Sequence, residues 1–395
     1  MPSPERAAPA SFLKHAADVA SFYGFRPLRE IERKVPGPSS RTHSFAVASS
    51  VCVQSVTARP DEPVLVYWAS GTPAHLPVGK AGLSMQASAI PAREIGEFGL
   101  HIVGVDESLA EVVLLKTIAT IMNEWGSPVA RVRLNALGDK DSKLRFEREV
   151  SLYLRKHASQ LHDECRDNLS KNMMGPYACQ DELCRSVVSG GPRTMNFLSE
   201  KSRLHFREVL EHLEKLSLPY EFDDLLMLDA REPRMLFAFD LAQEDATVLG
   251  SLGGRFDDHL RKLSARPMAA AGKLMAGVSA SIFFRKKGLG ADSFRLAAPA
   301  GVPSVYFIQL GLRAKLEGLA VVDLLRAAQV PILQSFDSSK LTPQLSAARA
   351  AGVSHLLIMG QREALDRTIL VRAMDNSSQQ IVGLAELPRF LKSLR

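Results

Sequence analysis

The sequence has no long apolar run. Its longest weakly polar stretch, Pro267 to Phe284, is interrupted by Lys273 and rich in Ala, Gly and Ser. That is too short and too broken for a membrane span. Cysteine is scarce, with Cys52, Cys165, Cys179 and Cys184 the four in 395 residues, which excludes a disulfide scaffold. The opening MPSPERAAPASF has no apolar h-region, so reduced thiols and a cytoplasmic location are expected. Single-sign charge is weak too. The 49 Lys+Arg against 43 Asp+Glu leave +6, which permits an acidic partner without requiring one. Apolar residues at 46% and charged residues at 23% exclude disordered and collagen-like chains.

Several catalytic motifs are also missing. Gly79-Lys80 is followed by Ala81, and no glycine stands at P-loop spacing before it. Gly277-Val278-Ser279-Ala280-Ser281 lacks the closing glycine of a nucleophile elbow. Between His259 and Ala291 there is no Asp or Glu, only Arg261, Lys262, Arg266, Lys273, Arg285, Lys286 and Lys287. Such a run attracts phosphate backbones, and it equally suits a solvated face whose acidic partners lie elsewhere. Few aromatics accompany it, so base stacking is not indicated.

What is present divides the chain. Residues 1–10 read as a disordered leader, 11–288 as a core with a helical insertion over roughly 140–200, 289–303 as a linker and 304–395 as an α/β domain. Helices are expected over Ser11–Tyr23 (stopped by Gly24), Ser108–Trp125, Lys140–His162 and Lys201–Leu216. Ser108 and Glu111 have capping-box spacing. Phe45–Val56, Pro63–Trp68, Glu97–Val105 and Val129–Asn135 have strand character, and Tyr220–Leu228 with Met235–Leu241 reads as a strand pair. After residue 304, strands and helices alternate to a last helix, Leu387–Leu394. Cys179 and Cys184 form a C-x4-C pair with His162 and Cys165 upstream. A zinc staple would use these four residues. Three reduced cysteines are the plainer reading, and we prefer it at this stage.

Several segments, in order, resemble the histidyl-tRNA synthetase family of class II aminoacyl-tRNA synthetases. They are Glu97-Phe98-Gly99-Leu100-His101-Ile102-Val103-Gly104, Leu134-Asn135-Ala136-Leu137-Gly138-Asp139, Phe146 to His157, His205-Phe206, Leu218-Pro219-Tyr220 and Gly253-Gly254-Arg255-Phe256-Asp257. Val305–Arg395 looks like the class's anticodon-binding domain. The resemblance implies an antiparallel sheet flanked by helices, a C-terminal α/β domain with a mixed sheet, a homodimer and RNA binding. RNA-contact candidates are Arg261, Lys262, Arg266, Arg285, Lys286 and Lys287; a protein partner is the other reading of the binding role.

The signatures of amino-acid activation depart from the family pattern. No F-R-x-E precedes Glu97; only Arg93-Glu94 remains. Ser279 and Ala280 stand where the third motif places Glu and Arg. Asp229-Ala230-Arg231-Glu232-Pro233-Arg234 replaces R-G-L-D-Y-Y, and Ile31 stands where the first motif has proline. Fixed arginines stabilise charge developing on phosphate, and one such donor is worth about 10²–10³ in rate. The expectation is a synthetase-like binding protein with activation lost or weak. Pocket candidates are Arg93, Glu94, Gly253, Gly254 and Arg255. ATP and magnesium would enter only with surviving histidine–tRNA ligase activity. A histidine-sensing regulatory subunit of ATP phosphoribosyltransferase is a further alternative, although that group usually lacks the C-terminal domain.

Overall fold

The computed structural model describes residues 9–35, 43–59, 62–73, 90–179, 181–227, 233–243, 246–264, 275–296, 304–334, 340–375 and 378–394. The chain folds as α/β with two sheets. The first holds eight strands: β1 Arg26–Pro27, β2 Val64–Ser70, β3 Ile95–Val103, β4 Val129–Ala136, β5 Tyr220–Phe222, β6 Met235–Leu241, β7 Val248–Arg255 and β8 Gly277–Arg285. Their order is β1-β2-β3-β8-β7-β6-β4-β5. The six inner strands pair antiparallel, while β1 and β5 add parallel edges. The second sheet has the order β10-β9-β11-β12-β13, from β9 Val305–Gln309, β10 Leu333–Gln334, β11 His355–Met359, β12 Thr368–Ala373 and β13 Gln379–Gly383. It is mixed, as expected.

One face of the large sheet is covered by helices Pro9–Phe22 and Leu109–Trp125. Period-2 alternation sends Phe98, Leu100 and Ile102 of β3 and Val278, Ala280 and Ile282 of β8 into that layer. Helix Leu109–Trp125 is buried nearly all round, because the C-terminal domain packs on its far side. Lys116 pairs with Asp323 at 2.6 Å, Arg326 grips Glu124 at 2.8 Å, and Tyr23 Oη donates to Asp323. Among the described residues no helix is long and apolar enough to cross a membrane.

Several expectations are corrected. Phe45–Ala58 is a helix, not a strand: Ser44 caps it, and Phe45, Ser49, Cys52 and Val56 line its buried face at helical spacing. Burial of that face overrides the β-propensity of its valines. Pro9 and Ala10 belong to the first helix, and residues 1–8 lie outside the described residues. The helix expected over Lys140–His162 stops at Lys156, followed by a 3-10 turn over Ala158–Gln160. The strand expected over Tyr220–Leu228 shrinks to β5 and pairs with β4, not β6. Ser108 makes no side-chain cap, because its own backbone is already helical, and Glu111 is drawn to Arg255 instead of closing a capping box.

The Leu134–Asp139 run has a local role. Gly138 has φ +75°, a left-handed conformation that favours glycine. Asp139 accepts from the Ser142 backbone at 3.0 Å, capping helix Lys140–Lys156, and from Ser199 Oγ at 2.6 Å. Ser199 in turn caps helix Glu200–Lys215. One carboxylate thus organises two helix starts. Asp139→Ala should lower unfolding free energy by about 1–2 kcal/mol, read from the urea midpoint at constant m-value, with Asp139→Asn recovering most of the loss.

Candidate functional site

The sheet face turned away from helix Leu109–Trp125 carries the polar strip most open to a functional reading. Glu97, Gly99 and His101 of β3 alternate onto it. In register, Gly99 lies between Trp68 of β2 and Ser281 of β8, and His101 is opposite Ser279. Ser281 Oγ donates to Glu97 Oε1 at 2.5 Å. His101 Nε2 meets Ser49 Oγ at 2.9 Å, with the rings of Phe45 and Trp68 edge-on at 5.0 and 4.9 Å. The Trp68 indole lies flat against Gly99, where a Cβ would come within 2.1 Å of the ring. Glycine is therefore required there by close approach, and the centre of the strip is filled by an aromatic side chain. Sequence reading passed over Trp68 and Ser49; pairing register, which one sequence does not display, is what brings them to His101.

Ser279 and Ala280, which the resemblance sets at the third motif, sit on opposite faces of β8. Ser279 faces the strip and is buried, whereas Ala280 points into the helix-covered core. Cations bordering the sheet lie near carboxylates, with Arg285 too far from its neighbour for a hydrogen bond. Arg285 faces Glu94 at 3.9 Å, Arg234 faces Asp257 and Asp258 at 3.5 and 3.3 Å, and Arg133 lies at 2.6 and 2.8 Å from Asp223 and Asp240. Phosphate is gripped by guanidinium forks with donors to spare. Among the described residues the strip does not fit a nucleoside triphosphate with its magnesium. Segments 74–89, 228–232 and 265–274, including Arg231, Arg266 and Lys273, lie outside the described residues.

The pocket candidates do not come together. Arg93 is exposed in a 3-10 turn before β3. Arg255 aligns through Val278 with Ile102, seven strand residues beyond Ile95, or about 23 Å. Its side chain is 3% exposed, beneath helix Leu109–Trp125. Nε and Nη2 donate to the two oxygens of Glu111 at 2.5 and 2.7 Å; Nη1 donates to Asp257 and Val105 O, and Nη2 also to Glu107 O. All five N–H donors of the guanidinium are used inside the protein, leaving none for a ligand. Gly253 and Gly254 have a packing role: a Cβ on either would lie 2.4 Å from a carbonyl oxygen of a neighbouring strand.

The basic run is partly neutralised. Arg261 pairs with Asp258, Arg285 with Glu94, and Lys286 donates to Gly71 O. Lys287 is exposed. His162, Cys165 and Cys179 do converge, with Cys184 nearby, far along the chain from the strip.

Glu111 is wholly buried, and burial alone would raise its pKa. Arg255 and His205, whose Nε2 lies 2.7 Å away, outweigh burial and hold it down to about 2. A folded pKa below the unfolded one stabilises the protein above the unfolded carboxylate range. That contribution fades as pH falls from about 4.5 towards 2. Glu111→Gln should flatten the acid limb of stability against pH. Arg255→Met should cost about 3–5 kcal/mol by stranding a buried carboxylate. Urea unfolding across pH checks both, and an unchanged acid limb in Glu111→Gln would contradict the linkage.

Residues 305–394 match the anticodon binding domain family (HGTP_anticodon). Over the wider chain, the histidine–tRNA ligase of Rhodospirillum rubrum is 26% identical over 76% of this chain and 70% of its own. That of Gloeothece citriformis is 24% identical over 77% and 69%. Among solved structures, the apo histidyl-tRNA synthetase of S. aureus aligns over 99% of this chain and 97% of that one, with 16% identity and a TM-score of 0.47. Over about three quarters of its length the chain is thus similar to histidine–tRNA ligases, and its C-terminal residues 305–394 belong to the anticodon binding domain family.

Proposed function

We propose that this protein is a histidyl-tRNA-synthetase-like binding protein, homodimeric in the manner of its family, that engages tRNA and activates amino acids weakly or not at all. The observation that carries the reading lies in the described part of the sheet face: Trp68 packs on Gly99, and Ala280 lies in the core where the resemblance sets the third-motif arginine. Support for RNA binding comes from the anticodon binding domain match over residues 305–394. ATP and magnesium would be required only if activation survives, and the described arginines favour its loss.

The discriminating experiment is histidine-dependent ATP–pyrophosphate exchange, repeated with the other amino acids. The expected rate is at least about 10³-fold below that of an active histidine–tRNA ligase, the scale set by missing oxyanion-type donors. Exchange at an ordinary rate would establish the active-ligase alternative. Filter binding of tRNA at low salt should give a measurable Kd that weakens steeply as salt rises. In Lys287→Glu, affinity should fall and the log–log salt slope should shrink by about one. Histidine binding without tRNA binding would instead favour the regulatory-subunit reading.

A further inference from the structure

The segment after Lys156 is built from very short helices. Asp163–Asp167 has five residues, Gly175–Ala178 four and Glu182–Ser189 eight. Helices of that length are not stable alone in water. They rest on a small separate core that includes Phe146, Val150, Leu161 and Val188. A core of this size leaves short elements in need of a cross-link.

The residues for one are in place. His162 immediately precedes helix Asp163–Asp167, and Cys165 lies within it. Cys179 ends helix Gly175–Ala178, and Cys184 lies in helix Glu182–Ser189. One ligand atom each from His162, Cys165 and Cys179 lie within 4.8 Å of one another. The Cys184 thiol, buried beside them, interacts with Cys165 and Cys179 but is not one of the three atoms within 4.8 Å of one another. Three of the four donors close on one point, and Cys184 stands beside them on helix Glu182–Ser189.

We propose that His162, Cys165, Cys179 and Cys184 form a structural zinc site of Cys3His type. Thiolates and imidazole are the donors that zinc takes in tetrahedral closed sites. Zn–S bonds of about 2.3 Å set neighbouring sulfurs about 3.8 Å apart, so the three donors already together need to contract by about 1 Å or less while the Cys184 side chain moves in to complete the set. The donors arrive as H-x2-C and C-x4-C pairs, with the buried Cys184 closing the inner side. All four positions are then protein ligands, so no coordination site remains for a substrate and the role is structural. On binding, the three thiols release their protons to solvent and the imidazole coordinates as the neutral ring. The site carries a net charge of minus one, and nothing is oxidised or reduced. The proposal is independent of the RNA-binding reading.

The test uses untagged full-length protein purified without added metal. Elemental analysis should find about one zinc per chain, lost in Cys179→Ser and in Cys184→Ser. Replacement by cobalt should give a thiolate-to-cobalt charge-transfer band and a tetrahedral visible spectrum. Chelation should speed proteolysis within residues 157–190 by about tenfold or more, as expected when a ligand that holds the folded form is withdrawn. If the serine variants fail to fold, cobalt binding by the wild type still decides. Trace zinc with no cobalt–thiolate band would overturn the proposal, as would a Cys165–Cys179 disulfide found by mass spectrometry in protein purified anaerobically.

Discussion

Five N–H groups of one guanidinium hold the large domain at its centre. Arg255 ends β7, Glu111 opens helix Leu109–Trp125, and Asp257 begins the helix that follows. Asp257 also accepts the backbone N–H of Gly277 at 2.9 Å, fixing the start of β8. A buried charge is tolerable only when paired and fully hydrogen-bonded. The packing must therefore keep a helix, two strands and a loop in mutual register to satisfy it. That constraint also decides a functional question. An arginine that spends every donor on the fold has none left for phosphate.

The other face of the sheet reaches the same outcome by sterics. The absence of a side chain on Gly99 admits the Trp68 indole, which packs edge-on with His101. His101 is in turn held by Ser49 from helix Phe45–Ala58. Among the described residues, aromatic packing of this kind leaves little concavity at the centre of the strip. Alternation along β8 does the rest, because it turns Ala280 towards the helices.

Much of the architecture was legible in the sequence, and the failures share one cause. Strands and helices after Val305 alternate with clear periods, so the mixed sheet was readable, although the short helix Gln361–Asp366 escaped notice. Helix Leu109–Trp125 was readable from its apolar spacing. Glu111 was not: it has capping-box spacing, yet it is claimed by Arg255, 144 residues away. Helix Phe45–Ala58 was misread because valines favour strands until tertiary burial decides. The Cys/His set was found as a pattern, but the plainer reading was preferred, since spacing alone does not show that three short helices converge. Register and long-range partners are the information that local periodicity does not contain.

Helix Leu109–Trp125 links these observations. Near its start Glu111 meets Arg255, and near its end Glu124 holds Arg326 of the C-terminal domain in a two-pronged pair. The two carboxylates are 13 residues apart, about 20 Å along the axis. Lys116 and Thr120 between them reach Asp323 and Tyr23. The C-terminal domain is thus seated on a rod whose other end is fixed in the core of the sheet. Energetic coupling between distant sites requires an element with two arrangements that both sites bias. A buried helix anchored at both ends by ion pairs is a strut, not a switch. The strut therefore joins the C-terminal domain to the large sheet without itself offering a second arrangement for either to select.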